Sequence, residues 1–273
     1  MADSGDAACG LALQMVLAID FATSAVCLHQ VILPRWSDTR AAGQMALAFW
    51  AAAGLMMTAY IRAWATDPNL GIELGTLEPG IDALEEQARR ICSKCKTFRP
   101  PRAHHCSQCG RCILRYDHHC MCFRSCIGLG NLKFFFLFLL WGLLTAVLYL
   151  VAAAPYCLED IRPDPRAVAG STRAHALLSA VVPLTALVAL FGAIALGSLF
   201  VTHFTQIASD KTSLEVYRAD VGVAAPGASP APNSTARGSV GRVFSNVRGV
   251  LGGQPLVWLL PVQATRPAAA RSA

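Results

Sequence analysis

Between Cys92 and Cys126 one pattern of metal-ligand residues occurs twice, the second copy shifted by fourteen positions and interleaved with the first. The first set is Cys92, Cys95, His105 and Cys112; the second is Cys106, Cys109, His119 and Cys126. Structural zinc takes four Cys or His donors in a tetrahedron, often with a Cys-x-x-Cys pair along one edge. Two such sites consume these eight residues and leave Cys120 over. Within the repeat, His104-His105-Cys106 aligns with His118-His119-Cys120, and Ala103 aligns with Asp117. Cys106 is used by the second site, but no third unit follows to use Cys120. A free thiol is only a few per cent thiolate at neutral pH and needs activation. His118 is placed to take its proton, and Asp117 to orient that imidazole and stabilise its cation, a form of help worth about 10² to 10⁴ in rate. The competing reading is a purely structural cluster in which Cys120 binds metal in another pairing or fills space.

The elements that must hold these residues lie in a membrane. The chain has 273 residues, 54% hydrophobic and 15% charged, with a mean hydropathy of +0.44; this is the composition of a membrane protein rather than a soluble domain. Stretches 11 to 33, 44 to 64, 134 to 154 and 177 to 204 each reach the roughly 20 apolar residues a helix needs to cross hydrocarbon. The expected fold is all-α: four transmembrane helices, with a cytosolic cysteine-rich domain binding two structural zincs between the second and third. The expected organisation is residues 1–65 for the first two helices, 66–133 for the cysteine-rich domain, 134–207 for the third and fourth helices, and 208–273 for a cytosolic tail. Residues 1 to 10 carry Asp3 and Asp6 and no Lys or Arg, unlike the leader of a cleaved signal peptide, so the first span is expected to stay. With four spans, both termini and the cysteine-rich segment share one side. That side holds eighteen Lys and Arg against five in the loops 34 to 43 and 155 to 176, which makes it cytosolic by the positive-inside rule. In that reducing compartment the cysteines serve metal binding or catalysis rather than disulfides. The net charge of +6 is explained by anionic headgroups and needs no nucleic acid.

Residues 66 to 91 read as a polar connector with a short helix from Ile81 to Arg90, and 221 to 238 as a flexible linker rich in Ala, Pro, Gly and Ser. Beyond it, Val240, Val243, Phe244, Val247 and Leu251 fall near one helical face, with Arg242 and Arg248 available to headgroups, the pattern of a membrane-surface helix. Asn233-Ser234-Thr235 matches a glycosylation acceptor that the cytosolic side would leave inert.

The cluster is tied to the second and third spans, and Lys133-Phe134-Phe135-Phe136 opens the third only a few residues beyond Cys126. Cys120 therefore belongs at the membrane edge. A buried fatty chain gains about 0.8 kcal/mol per methylene, and thioester exchange is close to thermoneutral. Long-chain acyl-CoA as donor and a protein cysteine as acceptor fit such a thiol. The zincs would contribute rigidity, at about 10 to 16 kcal/mol of apparent binding energy per site. With all four positions filled, neither has a Lewis-acid role.

These residues resemble the DHHC-type zinc-finger protein S-acyltransferases, or palmitoyltransferases. The resemblance runs from Cys92-x-x-Cys95 through Pro101, Arg102, His104, His105 and Cys106, then Asp117-His118-His119-Cys120, Cys126, Gly128, Asn131 and Phe135. Asp67-Pro68 resembles the family's Asp-Pro-Gly motif with Asn69 for glycine; Thr212-Ser213-Leu214-Glu215 resembles its Thr-Thr-x-Glu motif; Asn246 resembles the asparagine of its C-terminal membrane-proximal motif. The resemblance implies that Cys120 takes palmitate from palmitoyl-CoA and passes it to cytosolic-facing cysteines of membrane-associated proteins. It implies His118 as base, Asp117 as its partner, two structural zincs, and residence in Golgi or endoplasmic reticulum membranes. Two departures stand out: Met121-Cys122 replaces Pro-Trp, and Arg124-Ser125 replaces Asn-Asn. The missing tryptophan bears on how the acyl carbonyl is gripped. With Pro255-Leu256-Val257-Trp258, these substitutions resemble a divergent subgroup that includes the mammalian zinc-finger DHHC-domain protein called number twenty-four.

Arg62, Arg124 and Lys133 are candidates for the CoA phosphates, although basic residues there more often face lipid headgroups. Asp20 either lines a cavity or pairs with a neighbouring helix. Cys122 either shares acyl transfer or is inert, inertness being the simpler reading; Cys9 is open to acylation; Thr145 is a candidate for setting chain length. The rival from another class is a membrane-anchored zinc scaffold or RING-like adaptor, which would have no use for Asp117, His118 and Cys120.

Overall fold

The structure is a computed structural model that describes residues 4–70, 72, 74, 91–159, 173–222 and 240–263. In chain order it contains helix α1 (Ser4–Cys27), extended by a π-helical turn (Leu28–Ile32) and a 3-10 turn (Leu33–Arg35), and α2 (Thr39–Ala65). Strands β1 (His104–Cys106), β2 (Arg111–Ile113), β3 (His118–Cys120) and β4 (Ser125–Ile127) follow, then α3 (Leu132–Glu159), α4 (Arg173–Ala208), α5 (Ser213–Asp220) and α6 (Val240–Leu251). The fold is thus mostly helical rather than all-α. Three described helices are long and apolar enough to cross a membrane: Thr39–Ala65, Leu132–Leu158 and Ala180–Ala208. The stretch expected as a first span is helical, but its apolar part, Ala18–Ile32, is shorter than these. The expected helix 81–90, most of the linker 221–238 and the Asn233 triplet lie outside the described residues.

The chain divides into two compact units. One comprises Leu11–Thr58 and Phe138–Phe200. Its core packs Cys27, Leu28, Val31 and Ile32 with Phe49, Tyr149, Ala152, Tyr156 and Val182. The polar groups of Tyr149 and Thr185 meet within that core in a 2.5 Å hydrogen bond, which removes the cost of burying either hydroxyl alone. On α4, Leu184, Phe191 and Ile194 face outward and exposed, as residues that meet lipid do. Thr145 returns its hydroxyl to Trp141 O at 2.8 Å on its own helix.

The other unit comprises Met1–Gly10, Ala59–Leu137 and Val201–Ala273. Its organising element is a hairpin of fourteen-residue period that occurs three times, one more than the ligand pattern reveals. His105 pairs with Cys112 in the β1–β2 hairpin, and His119 with Cys126 in β3–β4. An isolated bridge joins Ile91 to Phe98 at the equivalent place. The turns reach left-handed backbone at matching positions, Lys96 (φ 59°), Gly110 (φ 66°) and Arg124 (φ 49°). In the first two turns the amide of the last residue closes on the first cysteine, Lys96 N to Cys92 O at 2.8 Å and Gly110 N to Cys106 O at 2.9 Å. Each metal set therefore takes its Cys-x-x-Cys from one hairpin and its His and last Cys from the next. The third hairpin has Cys120 in the first cysteine position, but Phe123 fills the second, and no fourth hairpin follows among the described residues.

The connector after α2 is fastened to this repeat by Asn69, the residue in place of the family's glycine. Asn69 Nδ2 donates to Cys112 O at 3.0 Å, and its Oδ1 accepts from Leu114 N at 2.9 Å. Asn69 is buried, so Asn69→Ala would strand both backbone groups. Unsatisfied buried groups cost about 1 to 3 kcal/mol each. We expect a lower thermal midpoint for this variant in detergent, measured by scanning fluorimetry; an unchanged midpoint would show that water replaces the amide. Nearby, the backbone passes so close to Gly130 that a Cβ there would strike the Asp67 carbonyl, which explains a glycine at that position. Asn131, fully buried, ties the end of α2 to β4 by donating to Ala63 O and Cys126 O, both at 3.0 Å.

Candidate active site

The eight expected Cys and His donors form two groups: Cys92, Cys95, His105 and Cys112, and Cys106, Cys109, His119 and Cys126, the ligand atoms of each lying within 4.8 Å of one another. Zinc–sulfur and zinc–nitrogen bonds of about 2.3 and 2.0 Å in a tetrahedron put donors about 3.5 to 3.8 Å apart. In the second group Cys106 Sγ, Cys109 Sγ and Cys126 Sγ lie 3.5, 3.4 and 3.6 Å from His119 Nδ1. In the first, Cys95 Sγ is 3.2 Å from His105 Nδ1 and 3.7 Å from Cys112 Sγ. The donor sets fit zinc in kind, number and spacing. The amides of Cys95 and Cys109 point at the sulfurs of Cys92 and Cys106, each at 3.4 Å, so the turns are wound for thiolates.

Cys120 belongs to neither group. It sits half-buried at the end of β3, where the Phe123 amide donates to its backbone oxygen at 3.2 Å. The third turn thus repeats the hairpin without the other donors of a metal site. The Cys122 thiol two residues on and then burial push the Cys120 thiol up, whereas the Cys120 thiol, outweighing burial and aided by His118, brings Cys122 down to about 6.

His118 Nδ1 lies 2.7 Å from Asp117 Oδ2. Asp117 is buried and also accepts from the Ser213 amide at 2.8 Å on Oδ1 and from the Ser213 hydroxyl at 2.7 Å on Oδ2. Burial alone would raise its carboxyl, but the hydrogen bonds and charge of His118 and the bonds from Ser213 hold it below the usual carboxylate value. It stays ionised and fixes which ring nitrogen of His118 carries the proton, leaving the other nitrogen as an acceptor. His104, the equivalent residue one repeat earlier, has Ala103 beside it instead of an acid; burial and then the charges of Arg218 and Arg99 hold it down at about 4.

Ser213 reaches Asp117 because α5 is firmly placed. Thr212 and Glu215 form a reciprocal capping box at its start. Glu215 further accepts Arg102 Nε at 2.7 Å and Nη2 at 2.9 Å, and Asp210 accepts Arg102 at 3.1 Å and Arg115 at 2.6 Å. Asn246 on α6 donates to Ala208 O at 2.8 Å at the end of α4. In the sequence His203 is only a polar residue near the end of the apolar stretch 177 to 204. It is buried, 3.9 Å from Asp117 and tilted against the His118 ring at 5.8 Å. Asp117, His118 and His203 donors also converge within 4.8 Å, but Ser213 already occupies both Asp117 oxygens. Phe135 covers His118 edge-on at 5.2 Å, and Phe123 packs on Phe135 and Tyr60. Of the cations expected to meet CoA, Arg124 is exposed, Lys133 is buried with Nζ donating to Val257 O at 3.0 Å, and Arg62 lies over the Phe134 ring at 4.9 Å.

A family model described as DHHC palmitoyltransferase matches residues 85–220, the span that holds all three hairpins, the trio and α5. This stretch is a DHHC palmitoyltransferase domain. The chain is 36% identical over 175 residues to palmitoyltransferase ZDHHC15A of Danio rerio, covering 64% of this chain and 48% of that protein. It is 32% identical over 179 residues to palmitoyltransferase ZDHHC2 of Homo sapiens (64% and 43%) and 37% identical over 135 residues to probable protein S-acyltransferase 13 of Arabidopsis thaliana (47% and 41%). The chain thus spans less than half the length of these relatives.

Proposed function

We propose that the chain is a protein S-acyltransferase that moves a long-chain acyl group, palmitoyl in the family's usual case, from acyl-CoA to protein cysteines through a thioester on Cys120. The observation that carries this reading is the buried Asp117 carboxylate, which holds His118 at 2.7 Å beside a cysteine outside both metal groups. His118 takes the Cys120 proton as the sulfur attacks the acyl-CoA carbonyl, and the CoA thiolate leaves. A substrate thiol then attacks the Cys120 thioester, with His118 taking its proton and Cys120 leaving as thiolate. Asp117 stabilises the imidazolium in both steps, and Ser213 keeps the carboxylate in place. Structural zinc in the two Cys/His groups would supply rigidity to the hairpins that carry these residues. A zinc scaffold needs no such relay.

Four spans in a Golgi or endoplasmic reticulum membrane, with the domain and both termini cytosolic, are the setting we propose; the excess of Lys and Arg on that side supports it. Arg124 is the better placed cation for CoA phosphates, since Lys133 is engaged by Val257. Placement beside the number-twenty-four subgroup rests on Met121-Cys122, Arg124-Ser125 and the Pro255–Trp258 tail. The test is to incubate the purified chain with palmitoyl-CoA. A hydroxylamine-sensitive acyl-enzyme on Cys120 that transfers to a membrane-anchored cysteine peptide is expected; an acyl-enzyme that persists unchanged in Cys120→Ser would refute the assignment.

A further inference from the structure

We propose that Gln206 is a positioning residue of the relay, its amide fixing the Ser213 hydroxyl that in turn holds the Asp117 carboxylate against His118. The inference rests on the roles of Asp117, His118 and Cys120 described above and adds a residue that no motif in the sequence marks. Gln206 stands near the end of α4, on the same helical face as His203 and Ile207, both buried. Its backbone oxygen accepts from Lys211 N at 2.8 Å, across a chain reversal that passes through left-handed Asp210 (φ 53°). Arg102 and Arg115 pair with Asp210, and Asn246 holds Ala208 O, so three side chains fasten the reversal. It returns residue 213 to the side of residue 206, where the amide end of Gln206 lies 3.1 Å from Ser213 Oγ.

A hydroxyl has one proton to give and two lone pairs with which to accept. Ser213 Oγ has two partners, Asp117 Oδ2 at 2.7 Å and the Gln206 amide at 3.1 Å. The shorter bond ends on an ionised carboxylate, and bonds to charged acceptors are the stronger ones, so the proton belongs to Asp117. The Ser213 oxygen is then an acceptor toward Gln206, whose amide satisfies it by presenting an N–H, its orientation being set by the network around it. The run of donors goes from Gln206 through Ser213 to Asp117 Oδ2, and meets the His118 Nδ1–H on that same oxygen at 2.7 Å. Each bond polarises the next. Without the amide, the unbranched Ser213 side chain has its other staggered rotamers open to it. Asp117 then keeps from this residue only the backbone N–H on Oδ1 at 2.8 Å, and Oδ2, the oxygen that faces His118, is the one held less firmly.

The test uses the full chain in detergent and two readouts. Gln206→Met keeps the length of the side chain and removes its amide. In single-turnover labelling over a range of palmitoyl-CoA concentrations, the maximal rate of acyl-enzyme formation should fall about three- to tenfold, the effect of losing one ordinary hydrogen bond, with the half-saturating concentration and the zinc content unchanged. In a Ser213→Ala background the same substitution should cost nothing more, because Gln206 acts only through that hydroxyl. The downfield proton resonance of His118 Nδ1–H, assigned by its absence from His118→Ala, should shift in Gln206→Met. An unmoved resonance would overturn the proposal whether or not acyl-enzyme forms. So would an undiminished rate, a change confined to half-saturation, or an equal further loss in the Ser213→Ala background, which would show a packing role instead. If the natural sequence forms no acyl-enzyme while the resonance shifts with Gln206, the reading of Cys120 fails and the positioning of His118 stands.

Discussion

Replacing His118 by alanine is expected to slow acyl-enzyme formation by about 10² to 10⁴-fold, the range that a positioned general base supplies. Both metal groups should keep their zinc, because His118 is a donor in neither. Asp117→Asn should produce a loss of the same kind for a different reason. The side chain keeps its size, but the amide is uncharged and no longer balances an imidazolium, and it must satisfy both Ser213 and His118 with one oxygen. The two residues act as one unit, so the double variant should be little slower than the slower single variant. Single-turnover labelling with palmitoyl-CoA, run alongside a zinc assay, checks all three. A His118→Ala enzyme of undiminished rate would show that Cys120 is deprotonated without His118.

The second large effect concerns the metal groups. In Cys109→Ser one of four donors of the second group is lost, and with it much of the roughly 10 to 16 kcal/mol that such a site contributes. His119 belongs to that group and lies between His118 and Cys120, so both reactive residues lose their placement together. Displacement of reacting groups by about 1 Å can cost 10²-fold, and we expect at least that loss of acyl-enzyme, with one zinc fewer per chain and faster proteolysis near residues 106–126. Retained activity with one zinc would mean that the hairpin holds its shape through Asn131 and the aromatic packing alone.

Much of this site is visible in the residue order. The eight metal donors, the surplus Cys120 and its two neighbours follow from residue types and spacing, because metal binding imposes both. The third hairpin does not follow, since Ile91, Phe98 and Phe123 occupy ligand positions without being ligands; only the backbone shows that they share the repeat. Ser213 stands far from Asp117 along the chain, and only its place in a motif resembling the family's singled it out. The role of His203 depends on where α4 ends relative to β3, which periodicity does not fix. Lys133 reads as a free cation at a membrane boundary, yet it is buried against Val257 by a tail whose path is set by tertiary packing. Hydropathy found the three long apolar helices for the reason that hydrocarbon thickness demands, and it drew the N-terminal stretch as longer than its apolar helical part, Ala18–Ile32.

The account turns on a sulfur that carries acyl groups because no metal holds it, and native mass spectrometry of the palmitoyl-CoA-treated protein beside Cys120→Ser reads both properties at once. The natural sequence should retain two zincs and gain acyl mass, and Cys120→Ser should retain two zincs and gain none. Loss of a zinc from Cys120→Ser, or acyl mass still added to it, would contradict the account.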